Sequence, residues 1–210
     1  MPGKITYLDH PLITHKISSI RGIEVVSATF RENVQQIAML EAYEALRNVA
    51  TYDKKIRTPI EETVKPFIDE SKVCLVPILR AGLGMQEGIS RILPHAKVCH
   101  VGMKRDEETH EAHTYYCNLP QFKEDETILL LDPMLATGGS GVDAVDLLKA
   151  HGAKKIAFLS IIAAPEGVKR FHDAHPDVDL YVGALDERLN ENAYICPGLG
   201  DAGDRIFGTI

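Results

Sequence analysis

The chain has 210 residues, 45% of them hydrophobic and 25% charged, proportions that suit a folded domain with a sizeable core. Its 23 Lys and Arg against 30 Asp and Glu give a formal charge of -7, which argues against a general nucleic-acid binder that neutralises many phosphates. No apolar run reaches the length of a membrane span and the first residues, MPGKITYLDHPLITHK, carry no apolar signal core, so a cytoplasmic location with no membrane partner is expected.

Thr29 followed by Glu32 has the capping-box pattern. Val34, Ile37, Ala38, Ala42, Ala45, Leu46 and Val49 then recur at helical spacing and predict an amphipathic helix ending near Thr51. From Val73 onward short apolar runs alternate with helical segments, the mark of a parallel sheet covered by helices. VCLVPIL is the first such strand, and a helix over residues 85–93 leads to a second, KVCHVGM. The polar stretch from Lys104 to about Asp125 is too long for an ordinary connection. TILLLD, residues 127–132, begins the next unit: a Gly-rich turn follows, then a helix, VDAVDLLKAHG, whose Gly152 suits a left-handed C-cap. KIAFLSIIAA reads as a buried strand, PEGVKRFHDAH as a helix with Pro165 in its first turn, and VDLYVGAL as the last strong strand. After Leu185 the chain turns loop-like, and no repeat or linker divides it into separate domains. Cys74, Cys99, Cys117 and Cys196 form no C-x-x-C pair; Cys74 and Cys99 lie in strand-like runs and read as core residues.

The strand-turn-helix unit at residues 129–141, LLLDPMLATGGSG, has the parts needed to hold a sugar phosphate. A buried strand delivers Asp132 at its carboxyl end, where open α/β sheets place their ligands. Thr137, Gly138, Gly139 and Ser140 form the start of a helix, where unpaired N–H groups and the helix dipole attract a phosphate and two hydroxyls can donate further bonds. Asp132 suits ribose hydroxyls, directly or through a hydrated metal. No G-x-x-x-x-G-K-[ST] occurs, which excludes a P-loop.

DPMLATGGS resembles the PRPP-binding motif of type I phosphoribosyltransferases, in the form characteristic of uracil phosphoribosyltransferases. Most of that superfamily has two adjacent acidic residues where this chain has Asp132 followed by Pro133, a departure typical of the uracil branch. PILRAGLGM, residues 77–85, resembles the family's pyrophosphate loop, with Arg80 after a strand and small neighbours that let a guanidinium and backbone amides reach phosphate oxygens. Within MKRDEET the resemblance assigns Arg105 to PRPP, on a segment long enough to close as a lid and exclude water. Residues 106–111 read mostly as a solvated charge run, and His110 and His113 lack a third metal-ligand signal.

The tail NAYICPGLGDAGDRIFGT, residues 192–209, matches the family's uracil-binding segment. Gly198, Gly200 and Gly203 satisfy G-x-G-x-x-G only formally, because little chain remains for the helix that should follow. A rigid Gly-rich loop can present two N–H groups and one C=O to the acceptor, donor, acceptor edge of uracil, and cytosine would mismatch it. HPL, FRE, EAYEA and AAPEG extend the resemblance across nearly the whole chain.

The resemblance implies an α/β fold, a parallel β-sheet flanked by helices and type I phosphoribosyltransferase-like. It would be a single domain with its core at about 70–185 and a hood from 1–30 and 186–210. It implies PRPP contacts at Arg80, Arg105, Asp132, Pro133, Met134, Leu135, Ala136, Thr137, Gly138, Gly139, Ser140 and Asp201, and uracil contacts at Ile195, Gly200, Asp201 and Ala202. The implied reaction is uracil plus PRPP to UMP plus pyrophosphate, a pyrimidine-salvage pentosyl transfer with Mg²⁺ held mainly through PRPP and water rather than by a protein metal site. Transfer through an oxocarbenium-like state gives catalytic roles to Arg80, Arg105 and Asp132, and to Asp201 as an orienter of metal-bound water or an aid to loss of the N1 proton. A homodimer or higher homo-oligomer and a GTP effector are further expectations of the family. Two alternatives stand beside this reading. One is a phosphoribosyltransferase for another base, orotate or a purine; orotate is disfavoured because residues 194–202 hold no Lys or Arg for its carboxylate. The other is a regulator on the same fold that binds RNA or DNA, disfavoured by the acidic charge and the complete set of catalytic residues.

Overall fold

The computed structural model describes residues 2–105 and 112–209, apart from the side chains at 104, 105, 112 and 113. The chain opens with β1 (Ile5–Tyr7), α1 (Pro11–Arg21) and α2 (Ser27–Ala45), followed by a hairpin of β2 (Thr51–Arg57) and β3 (Glu62–Ile68). Then come β4 (Val73–Leu79), α3 (Gly82–Ile92), β5 (Lys97–Val98), β6 (His100–Arg105), β7 (Ala112–Asn118), β8 (Thr127–Leu131), β9 (Met134–Leu135) and α4 (Gly139–Ala150). The last part holds β10 (Lys155–Ala163), α5 (Pro165–Ala174), β11 (Asp179–Leu185), the short pair β12 (Arg188–Leu189) and β13 (Ile195–Cys196), and α6 (Ala202–Phe207).

Among the described residues the main sheet runs β1-β11-β10-β8-β4-β6-β7, parallel throughout except for β6 against β7, with β5 beside β4 and β9 beside β10. Its central strands are apolar on both faces because both are covered. Along β8, Leu129 and Leu131 pack into a cluster with Ile17, Val34 and Met85 from α1, α2 and α3. The alternate residues Ile128 and Leu130 pack with Leu148 and Phe171 from α4 and α5. Each such buried side chain contributes about 1.5–3 kcal/mol by leaving water. Strands later than β8 in the chain lie on its β10 side, whereas β4 leads outward to β6. The order therefore reverses between β4 and β8, and an open α/β sheet binds ligands at the carboxyl ends of such a switch point.

The strands and helices expected from Val73 onward are present, with Gly152 in the left-handed conformation after α4. Other expectations are corrected. The first long helix starts at Ser27 with Val26 as N-cap and no capping side chain; Glu32 accepts from Gln36 Nε2 at 3.1 Å instead of closing a capping box, and the helix stops at Ala45, short of Thr51. KVCHVGM is two strands, both beside β4. Part of the polar stretch after Lys104 is β7, antiparallel to β6. The β2–β3 hairpin escaped the periodicity reading because nearly every residue in it is exposed, leaving no buried face to pattern. Residues 5–7 lengthen the sheet edge as β1, and α1 begins with Pro11 while His10 Nδ1 accepts from Leu12 N at 3.1 Å. No helix among the described residues is long and apolar enough to cross a membrane.

Candidate active site

A cleft of about 570 Å³ opens at the carboxyl ends of β4 and β8. It brings together Arg80 from the end of β4, Asp132, Met134, Ala136 and Ser140 from the segment after β8, and Ile195, Gly200, Asp201 and Ala202 from the C-terminal loop. A recess of about 40 Å³ is lined by Thr137, Gly138, Gly139 and Ser140 together with Asp132, Met134, Leu135 and Ala136. Thirteen of the residues singled out in the sequence thus fall on two hollows that share Asp132, Met134, Ala136 and Ser140.

The segment after β8 is held by its neighbour strand. Asp132 N donates to Leu159 O at 3.3 Å, Pro133 O accepts from Ile162 N at 3.0 Å, and β9 pairs with β10. Asp132 Oδ1 also accepts from Met134 N at 3.3 Å, which turns the carboxylate back over its own loop. Pro133 lines neither hollow; its part is this backbone bond to β10. Gly138 then takes φ +81°, a left-handed conformation that side chains resist, and a Cβ there would lie 2.9 Å from Gly167 O. Gly138 is the N-cap of α4, which begins without a capping side chain, so its first N–H groups face the recess with the positive end of the helix dipole.

Arg80 lies immediately past β4 with its side chain 56% exposed, and Nη2 donates to Asp204 Oδ1 at 3.0 Å. Hydrogen bonds from Thr209 and then Arg80 hold the Asp204 carboxyl below its usual range against the opposing effect of desolvation. Asp201 caps α6, its Oδ1 accepting from Asp204 N at 2.8 Å. The short helix α6 therefore links the loop carrying Asp201 to the arginine at the end of β4. Arg105 ends β6, opposite Ala112 on β7; its side chain lies outside what is described, whereas Met103, two residues earlier, lines the cleft. His110 lies outside the described residues, as does the side chain of His113.

Met103, Asn192, Ala193 and Tyr194 line the cleft without having been singled out. Met103 stands two residues before Arg105 in the sequence, and Asn192 to Tyr194 directly precede Ile195; both neighbourhoods were available in the sequence. No group of three or more His, Cys, Asp or Glu able to hold a metal occurs among the described residues. Asp132 and Asp201 nevertheless line one cleft, and one or two carboxylates are what a Mg²⁺ needs when phosphates and water complete its shell.

The family model for uracil phosphoribosyltransferase matches residues 7–209. The chain is 56% identical over 207 residues to the uracil phosphoribosyltransferase of Agathobacter rectalis, with 99% of each chain covered. It is 53% identical over 207 residues to that of Pediococcus pentosaceus, again with 99% of each covered. A solved structure from Aquifex aeolicus matches with a TM-score of 0.93 at 41% identity, covering 97% of this chain and 98% of that one. A cleft at the sheet's switch point, a helix-start recess beside it and relatives matched along nearly their whole length lead to one conclusion: the chain belongs to the uracil phosphoribosyltransferase family.

Proposed function

We propose that the chain transfers the 5-phosphoribosyl group of PRPP to N1 of uracil, giving UMP and pyrophosphate. The observation that carries this reading is the single cleft lined by Arg80, by Asp132 and Ser140, and by Ile195, Gly200, Asp201 and Ala202 on their separate segments. The recess at the start of α4 suits the 5-phosphate, through backbone N–H groups and the hydroxyls of Thr137 and Ser140. Asp132 suits the ribose hydroxyls. Arg80 and Arg105 supply positive charge for the departing pyrophosphate as the bond from C1 to its oxygen breaks and the bond to N1 forms. The loop bearing Ile195, Gly200, Asp201 and Ala202 presents the base, and Asp201 accepts the N1 proton or orients water beside it. Bound with PRPP, Mg²⁺ would neutralise pyrophosphate charge, with Asp132 and Asp201 as the carboxylates within the cleft.

Turnover of PRPP with Mg²⁺ and uracil, cytosine, orotate or hypoxanthine, each with and without GTP, tests the reading. UMP from uracil alone is the expected result. Turnover of another base would keep the transfer and overturn the base loop, and a GTP effect would add the effector that the family resemblance suggests. A homo-oligomer is proposed as well, and the β2–β3 hairpin supports it. The hairpin's Tyr52, Ile60 and Val64 are 47%, 91% and 55% exposed, whereas α2 turns Phe30, Val34, Ile37 and Ala38 into the core. Sedimentation at low micromolar concentration tests it; a monomer would discard it.

A further inference from the structure

Gly200, Asp201 and Ala202, three of the residues assigned to uracil, follow two residues whose backbone is tied down from behind. At Gly198, N donates to Asp186 Oδ2 at 2.8 Å and O accepts from Arg21 Nη1 at 2.7 Å, so both backbone groups of one residue are taken. Arg21 and Asp186 are themselves joined through two bonds, Nη1 to Oδ2 at 2.8 Å and Nη2 to Oδ1 at 2.6 Å. The Asp186 side chain is 4% exposed and the Arg21 side chain 26%. At the next residue, Leu199 O accepts from Arg205 Nη1 at 2.8 Å; the same guanidinium donates to Ile20 O at 2.7 Å and Gly22 O at 2.5 Å and lies 4.4 Å over the Phe30 ring. Every anchor leads to the junction of α1 and α2: Arg21 is the last residue of α1, and Ile20 and Gly22 flank it. Arg21, Asp186 and Arg205 are not among the residues that line the cleft.

A loop that recognises a base through backbone groups cannot tune recognition by exchanging side chains. Its selectivity is the orientation of its peptide planes, because a flipped peptide puts a carbonyl where an N–H stood. Gly198, at φ +66°, is a glycine in the left-handed region, so no side chain of its own fixes the planes on either side of it. With both groups of Gly198 held by Arg21 and Asp186, the planes that follow, at Gly200, Asp201 and Ala202, are delivered to the cleft in one orientation. We infer that Arg21 and Asp186 are positioning residues for base recognition, acting through Gly198 on a substrate that neither of them contacts. The inference rests on the uracil reading of the loop.

Arg21→Lys keeps the charge but loses the fork that reaches Asp186 twice and the Gly198 carbonyl as well. Asp186→Asn keeps an acceptor for Gly198 N but turns an NH₂ toward Arg21. Either variant should raise the uracil KM at least about tenfold, the effect of one misplaced buried hydrogen bond. The PRPP KM should stay within about twofold, and the preference for uracil over cytosine should narrow. Thermal unfolding of each variant, with and without PRPP, fixes an assay temperature at which it is folded. An unchanged uracil KM, or uracil and PRPP constants rising together, would sink the clamp. If the unaltered chain makes no UMP, the functional reading itself fails; if it makes UMP and the variants keep its uracil KM, only the clamp fails.

Discussion

The two sides of the cleft are built on opposite plans. The phosphate side is local: a strand, a turn and a helix start within residues 127–140, and the turn is held by the adjacent strand β10. The base side has little regular structure of its own beyond β13 and α6, and its loop is fixed by Asp186, by Arg205 and by Arg21, the last more than 170 residues away in sequence, the separation from Gly198 being 177. A local site carries its geometry within its own motif, so damage to it should be confined to the ligand it binds. A remotely anchored loop makes stability and recognition share the same bonds, and damage should appear in both.

The largest effect tests the local plan. Asp132→Asn should lower turnover about 100-fold or more, as expected for a group acting on the reacting sugar, while leaving the unfolding midpoint near that of the parent. Equal losses of activity and stability would show that the phosphate side is not self-contained, and near-normal turnover would remove Asp132 from the site. The matching test on the base side is Arg205→Met, which keeps volume but leaves the carbonyls of Ile20, Gly22 and Leu199 without their donor. Denaturant unfolding should register a loss of about 2–4 kcal/mol, with a rise in uracil KM exceeding any change for PRPP. If stability falls with no change in uracil KM, the arginine only holds the fold together. A smaller effect is expected from Ser140→Ala, which removes one hydroxyl from the recess. The PRPP KM should rise about two- to tenfold, the uracil KM should hold, and the unfolding midpoint should not move.

The same contrast explains what was legible in the sequence. LLLDPMLATGGSG could be read as strand, turn and phosphate-binding helix start because each residue's part depends on neighbours a few positions away. Nothing in Arg205 or Arg21 announces an anchor, since arginine is ordinarily a surface residue and each reaches a partner more than 160 residues away, Ile20 for Arg205 and Asp186 for Arg21. The base loop was recognisable only by resemblance, and its tethers not at all. The β2–β3 hairpin was missed for a different reason: with both faces exposed, TYDKKIR and ETVKPFI have no alternation to detect.

Glu41 gives the smallest expected change in activity and the control for both sides. It lies on α2, fully buried, and neither carboxylate oxygen has a hydrogen-bond partner among the described residues. A Cβ added at Gly183 on β11 would come 3.0 Å from Oε1, so the carboxyl sits between helix and sheet, away from the residues that line the cleft. Burial pushes its pKa well above the ordinary carboxylate value, and the folded form therefore holds the proton more tightly than the unfolded chain does. It follows that stability is undiminished below the ordinary carboxylate range and is lost as pH rises toward the folded-state pKa. Glu41→Met, of similar volume and without charge, should be more stable than the parent by about 1–3 kcal/mol at neutral pH. That advantage should shrink as pH falls from neutral toward the ordinary carboxylate value and level off below it, as read by denaturant unfolding at several pH values, while the KM values for uracil and PRPP stay unchanged. A shift in either KM would mean that packing between α2 and β11 reaches the cleft. The base loop's dependence on distant anchors would then be a property of the whole scaffold and not of its two arginines.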